Sequence, residues 1–178
     1  MQIELKILNK EFYSEESNGM LLNPLPSYQT LGSAAIDLVC IEDITIYPGE
    51  TKQIHTGIAI HIGSHTDTPM KSYREHWDYA GLIIPRSGLG TKGLILANTV
   101  GLIDSDYQGE ILVQAWNRNN EVYLRSKGPN ISIVLKSGDR FAQLVIVPIA
   151  RANWKVVEEF SNTTDRGTGG FGSTNNET

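Results

Sequence analysis

Apolar and polar residues alternate with period two through most of the chain, and no other feature restricts the possible folds as strongly. Ile3-Glu4-Leu5-Lys6-Ile7, Gly57-Ile58-Ala59-Ile60-His61-Ile62 and Ile131-Ser132-Ile133-Val134-Leu135 place successive side chains on opposite faces of an extended segment, the pattern of a half-buried strand. Gly81-Leu82-Ile83-Ile84, Ile111-Leu112-Val113 and Leu144-Val145-Ile146-Val147 lack the polar alternates, and that density predicts strands buried on both faces. Turn formers interrupt the runs at short intervals: Tyr47-Pro48-Gly49, Asn117 to Asn120, Lys127-Gly128-Pro129 and Ser137-Gly138-Asp139. Many short strands with close turns predict an all-β fold, either a sandwich or a barrel. A helical turn is predicted only over Met70 to Tyr79, and there is no internal repeat.

A length of 178 residues with 40% hydrophobic content is enough for one domain with a buried core. Fifteen basic residues against 20 acidic ones leave a net charge of -5, the wrong sign for a protein that coats nucleic acid. Placed arginines can still hold a small anion. The single cysteine, Cys40 within Leu38-Val39-Cys40-Ile41, excludes an intrachain disulfide framework and reads as a core residue. No apolar run approaches a membrane span, and Met1 opens directly into alternating residues rather than a signal peptide. The expected compartment is cytoplasmic.

Two segments depart from this pattern. Residues 63–79 are polar, with His65, His76 and several charges. Residues 161–178 are mostly Gly, Ser, Thr and Asn, with Phe171 the only large apolar side chain, a composition that cannot bury enough surface to order itself. Gly167, Gly169 and Gly172 satisfy G-x-G-x-x-G, but a dinucleotide fold needs a helix and a distant acid after that motif, and the sequence ends first. A phosphate loop fails too, because Ser173 stands where the lysine belongs. The local chemistry survives both failures. Closely spaced glycines let backbone N–H groups converge on an anion, with Ser173 and Thr174 adding hydroxyls. Arg166 offers a planar fork for phosphate, and Phe171 a ring to stack on a nucleobase. These parts describe a tail that orders around a nucleoside triphosphate.

Pro85-Arg86-Ser87-Gly88-Leu89-Gly90 reads as a turn after an apolar strand, with an Arg-Ser pair placed to meet phosphate. Asn98 to Glu110 reads as a hairpin; Asp104, Asp106 and Glu110 are turn formers, solvated charges, or a general base for water, and the residues alone do not choose among them. Gln143 is either an edge residue or a ligand contact. Asp37, at the start of an apolar strand, needs a partner, for which an arginine is the expected choice. His55, His61, His65 and His76 have no metal-ligand spacing and are read as solvated or structural.

Taken in order, five segments closely resemble the motifs of the homotrimeric dUTPase family, the deoxyuridine triphosphate nucleotidohydrolases. They are Gly32-Ser33-Ala34-Ala35-Ile36-Asp37-Leu38, Pro85-Arg86-Ser87-Gly88-Leu89-Gly90, and Gly101-Leu102-Ile103-Asp104-Ser105-Asp106-Tyr107-Gln108-Gly109-Glu110. Gly138-Asp139-Arg140-Phe141-Ala142-Gln143 and Arg166-Gly167-Thr168-Gly169-Gly170-Phe171-Gly172-Ser173-Thr174 complete the set. Ala35 stands where the family usually has glycine, and residues 63–79 exceed the usual link to the second motif, as a surface-loop insertion does.

The resemblance implies a jelly-roll-type β-barrel over residues 1–160 and a flexible C-terminal arm over 161–178. It implies a homotrimer in which motifs one, two and four of one chain meet motif three of the next and motif five of the third. The implied reaction is hydrolysis of dUTP to dUMP and pyrophosphate, which keeps uracil out of DNA and supplies dUMP for thymidylate synthesis. Asp104 would activate the attacking water, and Mg²⁺ would be bound through substrate phosphates and waters with no direct protein ligand. Arg86, Ser87, Gly88, Gln143 and Arg166, supported by Ser173 and Thr174, would hold phosphates. Asn98 and backbone such as that of Gly101 would pair with uracil, Phe171 with flanking Gly170 and Gly172 would cover the base, and Tyr107 would pack on deoxyribose. Asp37 and Arg140 would be structural, behind the contact residues. The competing reading keeps the fold and binds nucleotide as a non-catalytic sensor. Neither nucleic acid nor membrane is an expected partner.

Overall fold

Each alternating stretch contributes to a strand, with Ile3, Ile62, Ile131 and Ser132 left outside it. A computed structural model describes residues 2–14, 23–63, 78–119 and 131–169. The strands are β1 (Glu4–Ile7), β2 (Ile36–Val39), β3 (Ile44–Ile46), β4 (Thr51–His61) and β5 (Asp78–Pro85). After the one-turn helix α1 (Ser87–Thr91) come β6 (Leu94–Leu96), β7 (Gly101–Ile103), β8 (Glu110–Asn117), β9 (Ile133–Leu135) and β10 (Arg140–Ile149). Pairing is antiparallel throughout. One four-stranded sheet has the order β1-β4-β8-β6, a second has β2-β10-β5-β7, and β3 pairs with β9. Ile54, Ile58, Ile111 and Val113 from the first sheet join Leu38, Ile83, Phe141 and Leu144 from the second in one buried cluster. The result is the expected all-β jelly-roll-type architecture, with its pairing running as separate sheets.

Asn117 closes the end of β8. Its side chain is fully buried, and its amide donates to the carbonyls of Ile46 (2.9 Å) and Ile131 (3.0 Å), joining the segments around β3 and β9. Cys40 lies in the core as expected, and burial pushes its thiol up to about 11, so it is no nucleophile at neutral pH. Burial likewise pushes Tyr13 up to about 12, which keeps its hydroxyl a donor to the Thr56 carbonyl at 3.0 Å.

Three expectations are corrected. The helix is α1, within the segment read as a plain turn; Gly88 and Gly90 are poor helix formers, so propensity hid a single turn supported by the Gly90 N–H to Arg86 carbonyl bond of 2.9 Å. Asp78 and Tyr79, assigned to a helical turn, begin β5, while residues 70–77 of that expectation lie outside the described residues. The dense apolar runs are not buried twice over by one chain: Leu112 on β8 is 38% exposed between buried Ile111 and Val113. A single chain covers one face of that strand and leaves the other bare.

Candidate functional site

Strand order brings the second phosphate-type motif against the first and fourth. β10 lies between β2 and β5, in a register that sets Asp37 opposite Gln143 and Gln143 opposite Ile84. Asp37 therefore projects beside the strand end from which Arg86 leaves. The Arg86 Nε lies 2.9 Å from Asp37 Oδ1, and Arg140 approaches Asp37 Oδ2 at 3.3 Å. Arg86 also donates to the Arg140 carbonyl at 3.0 Å, and Arg140 to Gln29 Oε1 at 3.2 Å. The largely buried Asp37 carboxylate orients two half-exposed guanidiniums and neutralises only one of them. An uncompensated positive charge remains, with further N–H donors on both forks.

This cluster forms one wall of an open groove of about 720 Å³, also lined by Ser33, Ala35, Ser87, Gly88 and Gln143. Gln143 is not at a sheet edge; it sits on a central strand, and its amide donates to the Pro85 carbonyl at 3.1 Å, bracing the turn that carries Arg86 and Ser87. Gln29 belongs to the groove and was not foreseen, because Tyr28-Gln29-Thr30 is an ordinary polar loop in sequence. Changing Asp37 to asparagine is expected to lower unfolding stability by about 1.5–3 kcal/mol, the scale of hydrogen bonds to charged groups. It should also weaken triphosphate binding; denaturant titration and calorimetric binding read the two effects, and unchanged values of both would remove Asp37 from this role.

The β7–β8 hairpin holds Asn98, Gly101, Asp104 and Tyr107, the expected residues that the groove does not include. Thr99 has φ of +63°, and the Val100 N–H reaches the Asn98 carbonyl at 2.7 Å, a γ-turn of the rare positive-φ kind. A β-branched residue in that conformation is strained, and the strain sits where Asn98 is presented. Asp104 and Asp106 are exposed at the following turn, while Ser105 between them is buried and accepts the Gly63 N–H at 2.9 Å. Tyr107 turns its hydroxyl onto the Glu110 carbonyl at 2.8 Å, its ring lying over Gly109. A β-carbon at Gly109 would collide with the Tyr107 hydroxyl, so any side chain there would push the ring away. Glu110 is half-buried and both its carboxylate oxygens are engaged: they accept from Gly57 N–H at 2.9 Å and lie 3.0 Å from His55 Nδ1. His61 pairs with Glu4 at 3.0 Å, and His65 and His76 lie outside the described residues.

The hairpin residues and the groove are not brought together within one chain: among the described residues, none of Asn98, Gly101, Asp104 and Tyr107 lines the arginine groove. The described part of the C-terminal segment, residues 161–169, does not line it either. After Ile149 the described residues run exposed, with Trp154, Val156 and Phe160 at 93%, 96% and 90% exposure. Arg166 folds back on its own turn, donating from Nε to the Gly169 carbonyl at 3.0 Å. Gly170, Phe171, Gly172, Ser173 and Thr174 lie outside the described residues. There is also no group of three or more His, Cys, Asp or Glu side chains among the described residues that could hold a metal ion. No helix among them is long and apolar enough to cross a membrane.

Comparison with known proteins matches the dUTPase family model to residues 23–175. A deoxyuridine 5'-triphosphate nucleotidohydrolase of Francisella tularensis subsp. holarctica is 49% identical over 177 residues, which is 98% of this chain and 99% of that protein. Its counterpart in Francisella tularensis subsp. novicida is 48% identical over the same span. Among solved structures, the dUTPase of Staphylococcus bacteriophage 80alpha with dUpNHpp superposes with a TM-score of 0.73 at 27% identity, covering 97% of each chain.

Proposed function

This chain belongs to the dUTPase family, and from that premise we propose that it hydrolyses dUTP to dUMP and pyrophosphate at a site assembled from several copies of itself. The observation that carries the reading is the Asp37-braced arginine groove, an anion site that stands apart from the exposed carboxylate of Asp104 in the same chain. Three chains would unite them. The groove of one receives the triphosphate, the hairpin of a second supplies Asp104 and the base-reading turn, and residues 161–178 of a third close over the nucleotide. The bare faces of the single chain support that assembly: Leu112 and Trp116 on β8, and Trp154, Val156 and Phe160 beyond β10, leave apolar surface in water.

In the proposed reaction Asp104 takes a proton from a water molecule as its oxygen attacks the α-phosphorus, and the bond from that phosphorus to the bridging oxygen breaks. Pyrophosphate leaves with the bonding electron pair. Arg86, Ser87, Gly88, Gln143 and the arm's Arg166, with Ser173 and Thr174, hold the phosphates, while Asp37 and Arg140 keep Arg86 aligned. Asn98 and the backbone toward Gly101 face uracil, Phe171 between Gly170 and Gly172 covers it, and Tyr107 lies against deoxyribose. The donor set fits a Mg²⁺ held through substrate oxygens and water, since Asp37 is already engaged by arginines and the ion keeps much of its hydration in such sites. When bound, that ion supplies neutralisation of the triphosphate charge. The reading places the enzyme in the cytoplasm, or in the host cell interior for a viral chain; one buried cysteine and no disulfide support it.

Incubation with each dNTP and Mg²⁺, followed by pyrophosphate assay, tests the reaction. Release from dUTP alone is expected, whereas binding with release from none would favour a nucleotide sensor. For the sugar, Tyr107→Ala is expected to lower the preference for dUTP over UTP by about tenfold or more, within the range that one pocket contact controls. An unchanged ratio of kcat/KM values would take the ring out of sugar selection.

A further inference from the structure

β4 and β8 separate where the hairpin begins. Their pairing runs from Thr51 opposite Trp116 to His55 opposite Leu112, then shifts, so that Ala59 lies opposite Glu110. The β4 segment between them is longer than its counterpart and forms a bulge around Gly57, whose φ is +70°. No β-carbon fits there: one would stand 2.9 Å from that of Asn9 and 3.1 Å from a methyl of Ile41. The regular ladder is interrupted at this point, and side chains take over its bonds. Thr56 Oγ1 donates to the Ile111 carbonyl at 2.7 Å, and the Glu110 carboxylate receives Gly57 N–H at 2.9 Å. The Gly57 carbonyl is occupied from the other side by the N–H groups of Leu8 (2.8 Å) and Asn9 (3.0 Å).

Since a carboxylate only accepts, His55 Nδ1 carries the hydrogen in its 3.0 Å contact with Glu110 Oε2. Both oxygens of one side chain are thereby tied to the bulge. The same residue's carbonyl oxygen holds the Tyr107 hydroxyl at 2.8 Å. We propose that Glu110 is a positioning residue for substrate selection: it spans the bulge, sets the hairpin's register on β4, and so fixes where the Tyr107 ring stands.

The inference rests on the reading that Tyr107 selects the sugar, and a double-mutant cycle separates the two. The ratio of kcat/KM for dUTP to that for UTP is measured for wild type, Glu110→Ala, Tyr107→Ala and the double variant, well below each variant's Tm. Glu110→Ala is expected to lower the ratio several-fold to about tenfold, with no further fall when Tyr107 is already alanine, because neighbours acting through one contact are not additive. A merely structural Glu110 would lower Tm and leave the ratio alone. Tyr107→Phe cuts the link from the other end with β4 intact, and should also lower the ratio; it decides the matter if Glu110→Ala does not fold. An unchanged ratio in Glu110→Ala or in Tyr107→Phe, or additive losses in the double variant, would overturn the proposal while the sugar reading stands. An unchanged ratio in Tyr107→Ala would remove both.

Discussion

Replacing Asp104 by asparagine is expected to leave folding and dUTP binding intact and to lower kcat by at least ~10²-fold, the scale of general-base catalysis. The side chain is exposed at the turn after β7, so the substitution strands no buried charge. Asparagine keeps the shape and loses the basicity, which separates binding from turnover. Calorimetric titration with dUTP should change little while steady-state hydrolysis collapses. Near-normal turnover in the purified variant would move the base elsewhere, with Asp106 the next candidate.

Removal of residues 161–178 should be as damaging to hydrolysis and nearly harmless to stability, because 161–168 bury almost nothing. Nucleotide should protect this segment from proteolysis in the full-length protein. A sharper result comes from mixing chains. Asp104→Asn chains with intact arms and arm-deleted chains with intact Asp104 are each nearly inactive alone. In a cyclic trimer whose sites draw Asp104 from one neighbour and the arm from the other, any mixed trimer has one site where both are sound. Random assembly of equal amounts makes about three quarters of trimers mixed, so activity should recover to about a quarter of wild type. Recovery near zero with mixed trimers demonstrably present would refute the shared site and leave the chemistry untouched.

The strands were legible in sequence because alternation is a local signal: a residue's face follows from its neighbours two positions away. Asp37 illustrates the middle ground. An acid at an apolar strand start requires a counter-charge whatever the fold, so an arginine partner could be expected, but nothing local said that Arg86 and Arg140 would share it. α1 was missed because two glycines conceal a single helical turn. For Glu110 the sequence leaves turn former, solvated charge and general base open, because its two partners, His55 and Gly57, lie more than fifty positions away.

Sequence alone determined the all-β class, the polar character of 63–79 and of the C-terminal segment, and the residue types that suit a triphosphate. Those properties depend on composition and on spacings of a few residues. The tertiary structure decided which of these residues meet. β10 pairs with both β2 and β5, and that adjacency converts three distant motifs into one groove around Asp37. The β4 bulge decided the rest, since a break in the ladder leaves register to whichever side chain can span it, and at that point the chain has Glu110.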